Sequence, residues 1–157
     1  MIMYHGTAFV FDRFDTVPMS FTTDFEAAVA YARSCGVPED VDYQMVVLGV
    51  EIDESLLEEF STARFIAEFG DEGSHNGDSW EAALNYALEI EEDGKLGVMI
   101  RDCLDYGGRD CETDERFDRR YDQAIIASPD KLQIIERIVI DEDFKIYKDK
   151  RHVREAA

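Results

Sequence analysis

The chain has 157 residues, a length that fits one domain with a sizeable core, and its 45% hydrophobic and 11% aromatic content excludes an intrinsically disordered chain. Its 36 acidic residues against 16 basic ones give a net charge of −20, which disfavours direct nucleic-acid binding because such binding needs basic groups that neutralise phosphates. The same charge either favours encounter with a basic protein surface or serves only to keep the protein soluble, and both interpretations stay open.

Cysteine usage and hydropathy predict a reduced, cytoplasmic protein. Cys35, Cys103 and Cys111 fit neither a CxxC spacing nor a disulfide framework, so we expect free thiols and no metal site. No apolar run approaches the ~18 residues of a membrane helix, and the first residues lack the pattern of a signal peptide. We therefore expect no membrane association.

The first half of the chain is predicted to alternate strands and helices. Residues 2–4 form a short predicted strand, and residues 23–26 (TDFE) have the spacing of a capping box that begins a helix ending near Arg33. Residues 43–52 (YQMVVLGVEI) are apolar enough for a central strand. A second helical region is predicted to begin after residues 53–55 and to run to about Phe69.

A third helix is predicted from Asp78 through Glu92. Its residues trace a 3.6-residue stripe that we interpret as core-facing: Trp80, Ala83, Leu84, Ala87, Leu88 and Glu91.

The second half is predicted to be rich in strands. They lie at residues 97–101, 124–127 and 132–140, and a long polar loop over residues 102–120 separates the first from the second. This order of elements predicts an α+β fold with a mixed, largely antiparallel sheet and helices inserted in its middle. We expect one domain over residues 1–142 and an exposed basic tail over residues 143–157, with at most one edge strand at 144–147.

The motif at residues 4–7 (YHGT) is the first candidate for a binding site. His5 offers a ring donor beside Gly6, whose backbone carries no side chain, so a flat polar ring such as a nicotinamide can lie against the main chain there. Tyr31, on the following predicted helix, offers a stacking face for that ring. The plain structural alternative is that His5 ends a strand and Tyr31 packs a helix on the sheet.

Three blocks of sequence give the chain a resemblance to the ADP-ribosyltransferase superfamily, most closely to its compact phage and bacterial members. Together they cover somewhat under half of the chain, and the middle, residues 55–95, shows no match. The blocks are residues 4–7 (YHGT), residues 21–24 (FTTD) with Ala28, Tyr31 and Ala32, and the closing segments 97–102 (GVMIRD), 121–126 (YDQAII) and 129–134 (PDKLQI). The resemblance implies an ADP-ribosyltransferase-like sheet, split into two halves, with NAD bent in the cleft between them.

The resemblance also implies roles for individual residues. His5 would hydrogen-bond a ribose hydroxyl or the adenosine side of NAD, Gly6 would hold the nicotinamide carboxamide through its backbone, and Tyr31 would stack on the ring. Phe21 stands where many members have a second tyrosine, and it keeps the ring without the hydroxyl. The cofactor-binding candidates are His5, Gly6, Thr7, Phe21, Thr22 and Tyr31.

The third catalytic position departs from the family pattern. Members of the family usually place a glutamate there, whose charge stabilises the developing ribosyl cation, but the aligned residue is Gln123. Asp122 is adjacent, and neighbours in a strand face opposite sides, so only one of the two can face a cleft. Asp102 ends the preceding predicted strand. We rank Asp102 and Gln123 equally as catalytic candidates beside His5, with Asp122 third.

The function implied by the resemblance is NAD-dependent mono-ADP-ribosylation of a protein. The acidity favours a basic target such as the nucleic-acid-binding surface of a defence complex, and the specific form is a phage anti-CRISPR enzyme acting in the host cytoplasm. A rival hypothesis is a non-catalytic acidic binding protein or DNA mimic that blocks a basic partner. A third is an RNA- or phosphate-transferring relative, but only Arg13, Arg33 and Lys131 are placed to contact phosphate.

Overall fold

The computed structural model describes residues 1–9, 14, 16–33, 43–72, 77–105, 119–141 and 146–148. Within them, eight strands form one sheet and three α-helices cover part of it, which confirms the predicted α+β class. The strands are β1 (Ile2–Phe9), β2 (Met19–Thr22), β3 (Tyr43–Glu51), β4 (Leu57–Phe60), β5 (Gly97–Asp105), β6 (Arg119–Ile126), β7 (Ile134–Ile140) and β8 (Ile146–Lys148). The helices are α1 (Phe25–Ala32), α2 (Thr62–Phe69) and α3 (Gly77–Glu91), and short 3₁₀ turns lie at Glu54–Leu56 and Pro129–Lys131.

The strand order is β4-β5-β6-β2-β1-β3-β7-β8, and every neighbouring pair is antiparallel except β4 with β5. β1 stays paired with β3 along most of its length, whereas it is in register with β2 only at Tyr4↔Thr22. The two central strands therefore diverge from each other after a single paired position. This divergence opens the middle of the sheet.

All three helices lie on one face of the sheet. α1 packs on Val47 and Ile138, while α2 and α3 pack on Ile100 and Ile125. Residues directly opposite each other in paired strands lie on the same face of the sheet. Cross-strand pairs run from β3 through β1, β2 and β6 to β5, and they place the residues under all three helices on one face. The other face carries the largest apolar cluster: Met3, Phe14, Phe21, Val46, Leu48, Val50, Ile52, Leu57, Met99, Ala124 and Ile126.

Gly6 allows α1 to approach β1 closely. A Cβ atom at this position would lie 1.8 Å from the Ala28 carbonyl oxygen, a distance that no real contact tolerates. The helix therefore sits against bare main chain, and any larger residue would push it away from the sheet. The placement of Tyr31 on α1 depends on this contact.

Asp24 caps the amino terminus of α1, one residue later than the predicted capping box. Its side chain accepts a hydrogen bond from the Ala27 N–H at 3.1 Å, and the Thr22 hydroxyl accepts one from the Asp24 N–H at 2.9 Å. Thr23, the predicted cap, instead donates its hydroxyl to the Asp122 carbonyl at 3.3 Å. Thr23 and Asp24 are adjacent, and both residue types favour the N-cap position, which explains why the helix begins one residue later than predicted.

The predicted second helix is wrong over its first turn, because β4 occupies Leu57–Phe60 and pairs parallel with β5. Leu57 and Phe60 are both buried at a spacing of i and i+3, which mimics the inner face of a helix. α2 begins only after Ser61, whose hydroxyl accepts a hydrogen bond from the Arg64 N–H at 3.1 Å.

The predicted polar loop over residues 102–120 is also wrong at both ends. β5 continues to Asp105 and β6 begins at Arg119, so the two strands form a longer hairpin than expected. Residues 106–118 lie outside the described part of the chain. In α3 the predicted core stripe is rotated, because Leu88 is 41% exposed and Ile90 is buried instead.

The carboxyl-terminal segment supplies the last edge strand. β8 pairs with β7, from Ile138↔Lys148 to Ile140↔Ile146, so a part of the predicted tail belongs to the sheet. The remaining residues of that tail lie outside the described residues.

Candidate functional site

A cleft of about 350 Å³ opens where β1 and β2 diverge, and we call it the central cleft. Its walls come from both central strands, from β6, and from helices α1 and α3. The lining residues are Tyr4, His5, Gly6, Pro18, Met19, Ser20, Phe21, Thr22, Ala28, Tyr31, Trp80 and Gln123. The three segments of sequence singled out at residues 4–7, 21–31 and 121–126 thus each contribute to one space.

The register of β1 directs main-chain groups of Gly6 toward the cleft. Met1 and Ile52 exchange both hydrogen bonds, at 3.1 and 2.8 Å, which makes them a hydrogen-bonded pair between β1 and β3. This pattern alternates along an antiparallel strand. The main-chain N–H and C=O groups of odd-numbered residues in β1 therefore point toward β3, whereas those of Tyr4 and Gly6 point toward β2. Beyond Tyr4 that side of β1 has no register partner in β2, so the Gly6 peptide groups face the opening.

His5 closes part of the same opening with its ring. Nδ1 lies 2.9 Å from the Ser20 carbonyl oxygen, and because a carbonyl only accepts, Nδ1 carries the proton and Nε2 is left as an acceptor. Burial lowers the pKa of His5 below its usual 6.5, and the bond to Ser20 opposes this only in part. The ring is therefore neutral at pH 7. It also packs against Phe14 and Phe21, with centroids 6.2 and 5.6 Å away.

The other strand residues differ in what they offer to the cleft. Phe21 is 1% exposed and belongs to the core cluster, so it forms an apolar wall. Thr22 lines the cleft, but its hydroxyl accepts the hydrogen bond at the start of α1. Thr7 is buried and is not among the lining residues.

Gln123 presents an unpaired donor at the cleft. The residue is 4% exposed, and its Nε2 atom has no hydrogen-bond partner among the described residues. A buried amide nitrogen without an acceptor is costly, because it has lost water and gained nothing in return. At a cleft, such a group is a donor available to an oxygen atom of a ligand or of water.

Asp102 and Asp122 lie outside the central cleft. Asp102 occupies a bulge in β5 with a φ of 48°, and its side chain is 69% exposed. Asp122 accepts hydrogen bonds from the Asp102 N–H at 3.0 Å and from Arg101 Nη1 at 2.9 Å. Of the neighbouring pair Asp122 and Gln123, only Gln123 lines the cleft, as the alternation of a strand requires.

Trp80 and Asp105 both bear on the site, and the sequence analysis assigned neither of them to it. Trp80 lines the cleft from α3, although its place in an apolar stripe indicated only core packing. Asp105 is fully buried and accepts the Tyr31 hydroxyl, with both carboxylate oxygens 2.7 Å from it. No signal in the sequence separated Asp105 from the other acids of the predicted polar loop.

The described part of the chain shows no group of three His, Cys, Asp or Glu residues that could hold a metal ion. Cys103 is a buried thiol whose Sγ lies 3.7 Å from the Leu104 carbonyl oxygen, whereas Cys35, Cys111 and Arg13 lie outside the described residues. Of the other two residues considered for phosphate contact, Lys131 pairs with Glu91 at 3.3 Å, and Arg33 does not line the cleft. Among the helices of the described segments, none combines the length and the apolar character needed to cross a membrane.

Comparison with known proteins gives no match to this chain, whether to a family model, a curated protein or a solved structure. The functional argument therefore rests on the residues of the central cleft.

Proposed function

We propose that the protein is a mono-ADP-ribosyltransferase that binds NAD in the central cleft and modifies a basic protein. The observation that carries the proposal is that one cleft gathers His5, Gly6, Tyr31 and Gln123, which come from three separate segments of the sequence. The sequence motifs single out these residues, and they meet at the cleft between β1 and β2. A sheet that opens at its centre also agrees with the split sheet expected of the family.

The residues of the cleft fit one end of NAD. The peptide groups of Gly6 suit a carboxamide, the Gln123 amide supplies a donor that lacks an acceptor, and Tyr31 supplies a ring face. A volume of about 350 Å³ lies at the low end of the ~300–1,000 Å³ typical of small-molecule sites. The described walls therefore suit the nicotinamide and its ribose better than the whole dinucleotide.

When bound, NAD supplies an ADP-ribosyl group whose leaving group is nicotinamide. In the proposal the neutral His5 accepts a hydrogen bond from a ribose hydroxyl through Nε2, since Nδ1 is held by Ser20. The amide of Gln123 orients a ligand oxygen but carries no charge. Phe21 lines the cleft and is nearly fully buried, so it makes that wall apolar and limits the access of water, and Phe14 packs on the Phe21 and His5 rings.

The net charge of −20 supports a basic protein as the target, because opposite surface charges accelerate encounter. We propose specifically that the protein is a phage-encoded inhibitor, which modifies the nucleic-acid-binding surface of a host defence complex in the host cytoplasm.

A second candidate function is a non-catalytic acidic protein that blocks a basic partner. Two observations favour it: the net charge, and the neutral Gln123 in place of the expected glutamate. The two functions differ in whether the cleft binds NAD.

Titration with NAD tests the proposal directly. Trp80 is the single tryptophan of the chain and lines the cleft, so binding should change the intrinsic fluorescence, and calorimetry gives the affinity independently. We expect saturable NAD binding that weakens by about 10- to 100-fold in His5→Ala and in Tyr31→Ala, the range for loss of a buried polar partner. Asp93→Asn, a substitution of an exposed residue in the turn after α3, is the control. Absence of binding at millimolar NAD would favour the acidic blocking protein.

A further inference from the structure

Asp105 is the one fully buried carboxylate among the residues that the structure describes. A carboxylate away from water is tolerated only where hydrogen bonds replace its hydration. The Tyr31 hydroxyl supplies such a bond, and it lies 2.7 Å from both carboxylate oxygens. The pair therefore joins a buried acid to an aromatic ring that lines the central cleft.

The bond between Tyr31 and Asp105 spans the opening of the sheet. Tyr31 belongs to α1, which packs on β1 and β3, whereas Asp105 ends β5 on the other side of the opening. The Tyr31 side chain is thus held at its Cα by α1 and at its hydroxyl by Asp105, on the other side of the opening. Fixing both ends of a side chain leaves little rotational freedom to lose when a ligand binds.

We propose that Asp105 is a positioning residue that holds the Tyr31 ring at the cleft wall and so sets the affinity of the cleft for a flat ring. This inference rests on the proposed function, in which the flat ring is the nicotinamide end of NAD. Asp105 acts through Tyr31, and its own side chain is not among the lining residues.

A purely structural bond would behave differently. If the pair only fastens α1 to β5, its loss lowers the melting temperature and leaves the affinity of the folded protein unchanged. If Asp105 positions Tyr31, its loss weakens binding in protein that is still folded. Ligand affinity measured on folded variants therefore separates the two roles.

The experiment is a double-mutant cycle with Tyr31→Phe, Asp105→Asn and the double variant. Binding of NAD and of nicotinamide alone is measured by calorimetry, after circular dichroism and thermal melting have shown that each variant is folded. We expect each single substitution to weaken both ligands by about tenfold, the net value of a hydrogen bond to a charged group, and the double variant to lose no more than either single one. Asp93→Asn is the exposed control and should bind as the wild type does.

The outcomes separate failure of the inference from failure of the proposed function. Wild-type protein that binds neither NAD nor nicotinamide overturns both. Wild-type binding with unchanged affinity in the single variants overturns the inference alone, as does loss of affinity in Tyr31→Phe with none in Asp105→Asn. If Asp105→Asn does not fold, Tyr31→Phe still decides, because it removes one oxygen atom and an unchanged affinity refutes the positioning role.

Discussion

The amide of Gln123 constrains the chemistry of the cleft more than any other single group. Its buried Nε2 donor lacks a partner within the described residues, and the resemblance to ADP-ribosyltransferases aligns this residue with a charged glutamate. An amide orients an oxygen through a hydrogen bond but does not neutralise a developing positive charge. The proposed transferase should therefore turn over slowly, and a glutamate at residue 123 should increase its rate.

Substitution at residue 123 tests this argument. We expect Gln123→Ala to lower nicotinamide release by about 10²-fold, the usual cost of removing one oriented donor, and Gln123→Glu to raise it. Release of nicotinamide from NAD is followed by chromatography at saturating NAD. Asp102→Asn is the matched control, because that side chain is 69% exposed and does not line the cleft. An inactive Asp102→Asn enzyme with an active Gln123→Ala enzyme would transfer the third catalytic role to Asp102.

The lowered pKa of His5 predicts that stability depends on pH. Burial favours the neutral ring in the folded protein, so protons bind more readily to the unfolded chain. The contribution of His5 is then fully present above pH 6.5 and is lost as the pH falls from 6.5 toward the lowered pKa, by at most about 1.4 kcal/mol per pH unit. Urea unfolding of wild type and His5→Asn between pH 7.5 and 5 measures it, since Asn keeps a donor for Ser20 and does not titrate. Parallel pH profiles for the two proteins would contradict the prediction.

At the scale of elements, hydrophobic periodicity predicted the long, strongly patterned segments and failed at short ones. The apolar strand that became β3 was predicted nearly to its ends, whereas Leu57 and Phe60 carry the spacing of a helix and lie in a strand. The segment of Leu57 and Phe60 is a strand because it pairs in parallel with β5. A local sequence pattern does not predict pairing between distant segments. Asp105 was missed for the same reason, because the hydroxyl that its carboxylate accepts belongs to Tyr31, 74 residues away.

The contact between α1 and β1 predicts a large cost for Gly6→Ala. The added Cβ would meet the Ala28 carbonyl oxygen at 1.8 Å, so the helix must move away from the strand. Overpacking of this kind costs about 1–3 kcal/mol, and NAD affinity should fall as well because α1 carries Tyr31. Gly49→Ala in the adjacent strand is the control, since its closest contact is the Glu136 side chain at 3.1 Å. Chemical denaturation gives both stabilities, and equal losses would refute a specific role for the glycine.

The start of α1 predicts different effects for two neighbouring substitutions. Asp24→Ala removes the side chain that accepts from the Ala27 N–H and pairs with Arg119 at 2.7 Å, so we expect a loss of about 1 kcal/mol in the free energy of unfolding. Thr23→Ala removes only a 3.3 Å bond to the Asp122 carbonyl and should cost less. Urea denaturation curves compare the two. The reverse order would mean that Thr23 caps the helix, as the sequence pattern alone predicts.

At the scale of the whole molecule, an acidic blocking protein and a transferase should differ in how their effects depend on salt and on NAD. A net charge of −20 accelerates encounter with a basic partner, and exposed charges are screened beyond about 10 Å at 0.1 M salt. A blocking protein depends on this attraction throughout, so its effect is stoichiometric, independent of NAD and lost in high salt. For a transferase, salt slows the encounter but does not reverse a covalent product.

The deciding measurement incubates one part of this protein with many parts of a lysine- and arginine-rich protein such as histone, with and without NAD, at low and high salt. We expect a mass increase of the target only where NAD is present, in excess over the protein added, and formed more slowly at high salt. The increase should persist after the protein is removed, and it should be absent with the Gln123→Ala and Tyr31→Ala variants, whose net charge is unchanged. Salt-sensitive binding of the histone that gives no mass change and is the same in both variants would assign the function to the acidic surface and not to the cleft.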